Sequence, residues 1–230
     1  MPPVVSFGIV TPSHFYFPKG FVESALRMQS YSQYKGVVKG FNIAFFSSPR
    51  TSHNRNNVVE NLTKADDYVL MIDSDMTFPI NTLELLLQTA GKNPDAVITG
   101  IAPIGQPPFR PAIFQWPERE DKKPTHIDVW SEDTPFEIGA CGSFCLLIPK
   151  NVIEGLEPKP FDHIHNYYPW GDCVEDRELR HDFAFSKRVR EAGFKIICDP
   201  RVELGHLRPV PATMEDWKRT RDFKIPRLDK

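Results

Sequence analysis

Apolar and polar positions in the first hundred residues alternate between two spacings. Four short apolar runs have the length of strands: VVSFGIV at 4–10, FNIAFFSS at 41–48, the run that ends at Asp73, and DAVITG at 95–100. Between them the apolar residues recur every three or four positions, which is helical spacing. Phe21, Ala25 and Met28 share one face of a helix predicted over 18–30, and Val58, Val59, Leu62 and Ala65 share one face over 50–65. Ile80, Leu83, Leu87 and Ala90 form a stripe over 79–91, where Pro79 suits the first helical position. Alternation of this kind builds a parallel sheet with helices on both faces, the doubly wound, Rossmann-like α/β architecture.

The second half breaks the alternation. EIGACGSFCLLIPK (137–150) reads as a strand entered through a glycine-flanked turn, and FAFSKRVREAG (183–193) as a helix with Phe185, Val189 and Ala192 aligned. FKIICDP (194–200) is a short strand, so the central sheet is expected to be mixed, mostly parallel. Proline, 22 of 230 residues, crowds into 102–135 and 149–169, which marks two long connections able to wall a binding site. A 40% apolar content over this length suits one core, so a single domain is expected over 1–208 with a charged tail at 209–230.

Charge and cysteine content narrow the class of partner. A net charge of -2 gives no basic surface for nucleic acid. No run reaches the ~18 apolar residues of a membrane span, and no leader is evident, so a soluble, cytoplasmic protein is expected. Cys141, Cys145, Cys173 and Cys198 lack C-x-x-C spacing and read as reduced thiols.

Candidate chemistry centres on DDYVLMIDSDMTF (66–78). Asp73 and Asp75 stand two apart at the end of an apolar run, and on an extended segment they would point the same way. Two carboxylates so aimed call for a divalent cation or a cationic group between them. Neither is placed to cap the helix that follows. The turns after the first two strands, Thr11, Pro12, Ser13 and His14, then Pro49 and Arg50, lie at the same end of the sheet, where ligands of such folds bind.

TPSH, NRNNVVE, the Asp-x-Asp of MIDSDMTF, GACGSFCLLIPK and HDFAFSKRVREAGFKIICDPRVELGH follow one another in an order that resembles the nucleotide-sugar-dependent glycosyltransferases of the GT-A fold, close to family two. The resemblance spans residues 4 to 207. It implies a donor site drawn from Thr11, Pro12, Arg50, Arg55, Asp73, Ser74 and Asp75, and a metal site of Asp73, Asp75 and His206 holding Mn²⁺ (or Mg²⁺). His165 and His181 have weaker claims on the metal. The implied donor is a nucleoside-diphosphate sugar, UDP-sugar favoured over GDP-sugar, and the acceptor a glycan or other hydroxyl. Inverting members carry an acidic pair, often Glu-Asp, before the helix that opens near Phe183; here His181-Asp182 stands there. Asp182 keeps the position of the general base, with Glu175 and Asp176 in reserve, while capping the helix is its structural alternative. Arg50 and Arg55 suit phosphate or nucleotide but equally an ordinary surface, and His206 equally a solvent-facing terminus. Tyr167, Tyr168 and Trp170 can stack an acceptor ring, and Gly139, Gly142 and Ser143 can admit a donor sugar close to the backbone.

Two other readings compete. DSDMT also satisfies the opening signature of haloacid-dehalogenase-like phosphohydrolases, and GDCVED imitates their acidic motif, but two strands already precede Asp73. A non-catalytic carbohydrate-binding protein on the same fold is the other; Asp73, Asp75, Asp182 and His206 together argue against it.

Overall fold

The structure is a computed structural model that describes residues 1–11, 17–61, 65–105, 108–118, 123–165 and 178–208. The first half runs Val4–Thr11 (β1), Lys19–Tyr34 (α1), Gly40–Ser47 (β2), Thr51–Glu60 (α2), Tyr68–Asp73 (β3), Met76–Thr77 (β4), Thr82–Lys92 (α3) and Ala96–Ile101 (β5). Five short strands and one longer follow: Ile113–Gln115 (β6), Thr125–His126 (β7), Phe136–Ile138 (β8), Ala140–Cys141 (β9), Cys145–Pro149 (β10) and, after helix Lys150–Glu154 (α4), Ile164–His165 (β11). Glu178–Leu179 (β12), His181–Glu191 (α5), Lys195–Glu203 (β13) and Gly205–His206 (β14) complete the described chain.

Seven strands form the central sheet in the order β2-β1-β3-β10-β5-β13-β8. β2, β1, β3, β5 and β13 run one way, and β10 and β8 run against them. Mixed, mostly parallel pairing is therefore what the alternation predicts. Both sheet faces are covered. Phe7, Ile9, Leu70 and Ile72 pack with Phe21 and Met28 of α1 and with Leu83, Leu86 and Ala90 of α3. Val10, Val69, Met71, Leu146 and Ile148 face the other way, against Val58, Val152, Phe185 and Val189 of α2, α4 and α5. Burial on both faces explains why these strands read as continuous apolar runs.

Three helices differ in detail from their predicted stripes. α3 starts at Thr82, with Asn81 as its cap residue; Pro79 and Ile80 form a preceding turn in which Ile80 is exposed, and Leu86 takes the buried place expected of Leu87. The inward face of α2 is polar: Ser52, Asn54, Arg55 and Asn56 are buried with Val58, whereas Ala65 lies outside the helix and Leu62 outside the described residues. α5 begins at His181, and Ala192, just past its end, is exposed.

Close packing of α2 on the sheet depends on one glycine. A Cβ at Gly8 would collide with the Val58 side chain, so a bare backbone on β1 lets α2 approach. That approach carries the polar face of α2 to the ends of β1 and β3. Among the described residues no helix is long and apolar enough to cross a membrane, and Cys141, Cys145 and Cys198 are buried free thiols. Cys173 and the tail at 209–230 lie outside the described residues.

Candidate active site

β1 and β3 are neighbours with Val10 opposite Asp73, so Thr11 and Asp73 leave the sheet at one level. At that point the chain turns: the Asp73 N–H donates to Phe144 O at 3.0 Å and the Ser74 N–H to Val10 O at 3.1 Å. Ser74 is buried in the turn and Asp75 follows it. The extended geometry expected through Asp75 stops at Asp73, and the two carboxylates find different partners.

Asp73 meets Arg55. Nη2 of the guanidinium lies 2.9 Å from Oδ1 and 3.0 Å from Oδ2. The Arg55 side chain is only 2% exposed, which a guanidinium tolerates when a carboxylate balances it. Its Nε and Nη1 have no hydrogen-bond partner among the described residues. Burial pulls the Arg55 pKa down, but the charges of Asp73, Asp182 and Asp75 outweigh it and leave the group above its ordinary value. Burial pushes Asp73 up to about 6 against the pull of Arg55, and repulsion from Asp75 and Asp182 adds to the rise. One buried guanidinium thus faces three carboxylates, an excess of negative charge that suits a bound cation.

Asp75 meets His206. β14 pairs antiparallel with β4, His206 opposite Met76, and the Leu207 N–H donates to Asp75 O at 2.7 Å. His206 Nε2 lies 3.2 Å from Asp75 Oδ2, and Nδ1 lies 3.1 Å from Pro103 O. A carbonyl only accepts, so Nδ1 carries the proton of that bond and Nε2 is the nitrogen that faces the carboxylate. Asp75 could offer an oxygen and His206 this nitrogen to a divalent ion. Among the described residues no cluster of three or more His, Cys, Asp and Glu side chains is arranged as a metal site. Small hard cations are commonly held by one or two protein groups, with substrate phosphates and water completing the shell.

Asp182 lies in the first turn of α5, where Arg180 is the cap residue and no side chain caps the helix. The Asp182 carboxylate accepts the Ser143 N–H at 3.2 Å through Oδ1, and His181 Nε2 is 3.1 Å from that oxygen. Its negative charge is felt by both Arg55 and Asp73.

The remaining expected residues distribute themselves around this centre. Thr11 is buried, and its carbonyl accepts the Asn54 Nδ2–H at 2.9 Å; Pro12, Ser13 and His14 lie outside the described residues, as do Tyr167, Tyr168, Trp170, Glu175 and Asp176. Arg50 is exposed at the start of α2, on a cleft of about 740 Å³ that His163, Glu178, Arg180 and His181 also line. His165 is bonded to Glu178 at 3.2 Å on the β11–β12 hairpin, and His181 to Asp182, so neither joins Asp75. Gly139 is glycine because a Cβ would strike the Trp116 backbone, and the neighbours of Gly142 are Phe144 and Ala112, so both serve internal packing.

Several site residues are missed from sequence. Asn54 bonds Thr11 O and Ser48 O, tying the end of β1 to the end of β2. Asn56 donates to Asp162 and accepts the Phe161 N–H, tying α2 to the loop before β11. The signal was present in NRNNVVE, whose amides and guanidinium are too polar for a helix face that packs on a sheet unless they serve a site.

Carboxylates, a buried guanidinium and a histidine gather at the carboxyl ends of a doubly wound sheet, where ligands of such α/β folds bind. Solved structures share this fold. The chain superposes on GalNAc-T7, solved with UDP, GalNAc and Mn²⁺, at a TM-score of 0.58 and 12% identity, covering 90% of this chain but 44% of that one. It superposes on the catalytic domain of Drosophila beta1,4galactosyltransferase 7, in complex with xylobiose, at 0.51 and 16% identity, covering 96% and 82%. No curated protein matches the sequence. The fold is that of the GT-A glycosyltransferases. Glycosyl transferase family 2 matches residues 28–146, and the chain belongs to that family, so it is a glycosyltransferase. The haloacid-dehalogenase reading falls with that assignment.

Proposed function

We propose that the enzyme moves a hexosyl group from a nucleoside-diphosphate sugar, UDP-sugar favoured and GDP-sugar the alternative, to a hydroxyl of a glycan or other acceptor, with inversion and with Mn²⁺ (or Mg²⁺). The observation that carries this reading is the Arg55–Asp73 pair at the end of β3, which feels the charges of Asp75 and Asp182, with His206 bonded to Asp75. Asp75 and His206, with Asp73 beside them, would hold the cation. It would neutralise the diphosphate as that group leaves. Arg55, fixed by Asp73, keeps a buried positive charge beside the same strand ends, where it would attract anionic oxygens. Thr11, whose carbonyl Asn54 holds, and Arg50 would form the nucleotide side.

Asp182 acts on the acceptor. Its carboxylate takes the hydroxyl proton as the oxygen attacks the anomeric carbon, and the nucleoside diphosphate departs from the opposite face. Inversion follows from a single displacement. The same strand ends on a non-catalytic binding protein would not need a carboxylate held by Ser143 N–H at 3.2 Å beside the Arg55–Asp73 pair.

A thermal-shift screen of UDP, GDP and their hexoses with Mn²⁺ tests the donor side, because a ligand bound only by the native state raises its melting temperature. Transfer from the stabilising donor to a panel of p-nitrophenyl glycosides then tests the enzyme. Stabilisation by UDP with Mn²⁺, followed by a product of inverted anomeric configuration, is expected. No stabilisation by any nucleoside diphosphate contradicts the proposal.

A further inference from the structure

We propose that His181 is a positioning residue for the base, donating from Nε2 to Asp182 Oδ1 so that Oδ2 is turned to the acceptor. The inference rests on the reading of Asp182 as the base. Two donors converge on one oxygen: the Ser143 N–H at 3.2 Å and His181 Nε2 at 3.1 Å. Oδ2 takes neither bond. A free carboxylate rotates about its Cβ–Cγ axis and presents either oxygen, whereas one bonded twice through the same oxygen is fixed. Fixing matters because a base must lie within about 3 Å of the proton it accepts, and a displacement of ~1 Å can lower a rate by about 10²-fold.

His181 is itself held. Its ring stacks on His163 with centroids 5.7 Å apart and an interplanar angle of 17°, and His163 Nδ1 lies 2.8 Å from Glu178 Oε1. A chain of contacts thus runs from β12 through two imidazoles to the base. Burial lowers the His181 pKa, Asp182 opposes that, and Arg55, His163 and Arg180 lower it further, so the ring is neutral at neutral pH. A neutral ring with its hydrogen on Nε2 donates to Asp182 without placing a second full charge beside it. Below that range a second proton makes an ion pair with Asp182 and weakens its attraction for the acceptor proton.

Three variants of the full chain test this, with the donor and p-nitrophenyl acceptor that give turnover in the screen above. His181→Phe keeps a ring to stack on His163 and deletes the donor; His181→Gln restores an N–H of similar reach and does not titrate; Asp182→Asn removes the base. His181→Phe should lower kcat for transfer by about 10- to 100-fold, the usual effect of losing a supporting hydrogen bond, with the donor KM and melting temperature unchanged. His181→Gln should recover most of that loss, and the acid limb of its pH profile should lose the step that wild type shows. Equal losses in Phe and Gln, or full activity in Phe, overturn the positioning role while Asp182→Asn remains inactive. Full transfer by Asp182→Asn overturns the base and this inference with it, as does absence of transfer by wild type across the panel.

Discussion

Arg55→Met removes the guanidinium that pairs with Asp73 and keeps an unbranched apolar chain in its place. In wild type Asp73 stands at about 6 in the fold against 3.8 ordinarily, raised by burial and restrained by Arg55. A carboxyl raised on folding favours the fold while the unfolded group is protonated, and that contribution is lost as pH climbs from about 4 through 6. The loss is about 3 kcal/mol at 1.36 kcal/mol per pKa unit. Without Arg55, burial and the charges of Asp75 and Asp182 act unopposed, and Asp73 is pushed higher still. At pH 5 the folded carboxyl is protonated in both proteins and the variant is spared the burial of a cation, so the two should agree within ~1 kcal/mol. Above pH 6 wild type has completed its loss, while the variant continues to lose about 1.4 kcal/mol per pH unit until Asp73 ionises. Arg55→Met should therefore be about 1–2 kcal/mol more destabilised at pH 7 than at pH 5. Urea unfolding at both pH values, in chelator so that no cation competes for Asp73, measures it directly. A deficit that is constant with pH, or that shrinks as pH rises, refutes the pairing of Arg55 with a buried carboxylate.

Three further outcomes follow from the same structure. Gly8→Ala should destabilise by about 1–3 kcal/mol through overpacking against Val58, and Val58→Ala in the same chain should restore most of it in urea unfolding. Asp199 is fully buried; burial pushes its carboxyl up, but hydrogen bonds from Arg201 and Thr89, with the Arg201 charge, hold it below the ordinary range. Its stabilisation is present above the unfolded pKa and lost as pH falls through the folded one, so Asp199→Asn should lose about 2–4 kcal/mol at pH 7 and less in acid. Asp182→Asn should keep donor binding and lower transfer by ~10²–10⁴-fold in an end-point assay, and near-normal transfer would move the base elsewhere.

The sheet was legible because its inner strands β1, β3 and β5 are buried on both faces and read as largely apolar runs, bounded by helices with a three-to-four spacing. The place of β10 between β3 and β5 was not, since that pairing joins Cys145 to Ile72 and Leu146 to Thr99 across long stretches of chain. Asp73, Asp75, Asp182 and His206 could be singled out by residue type and order. What each one touches could not. Ser74 starts a turn, so Asp73 and Asp75 part to Arg55 and His206, and no two-residue spacing rule foresees that. The α2 face was legible only in part: Val58 and Val59 pack inward as their spacing predicts, but Asn54, Arg55 and Asn56 are buried with them and Ala65 lies beyond the helix. Gly139 shows the converse: its close neighbour is the Trp116 backbone, and nothing in the sequence says which chain a glycine must admit.

Calorimetric titration of UDP into the full chain, in Mn²⁺ and again in chelator, tests the central claim most directly. On the proposed reading, three carboxylates around one guanidinium repel a diphosphate until a cation binds at Asp75 and His206. Tight binding in Mn²⁺, weak or no binding in chelator, and loss of that difference in Asp75→Ala are the results expected. Equal affinity with and without the metal, or an Asp75→Ala variant that keeps full metal dependence, would contradict the account.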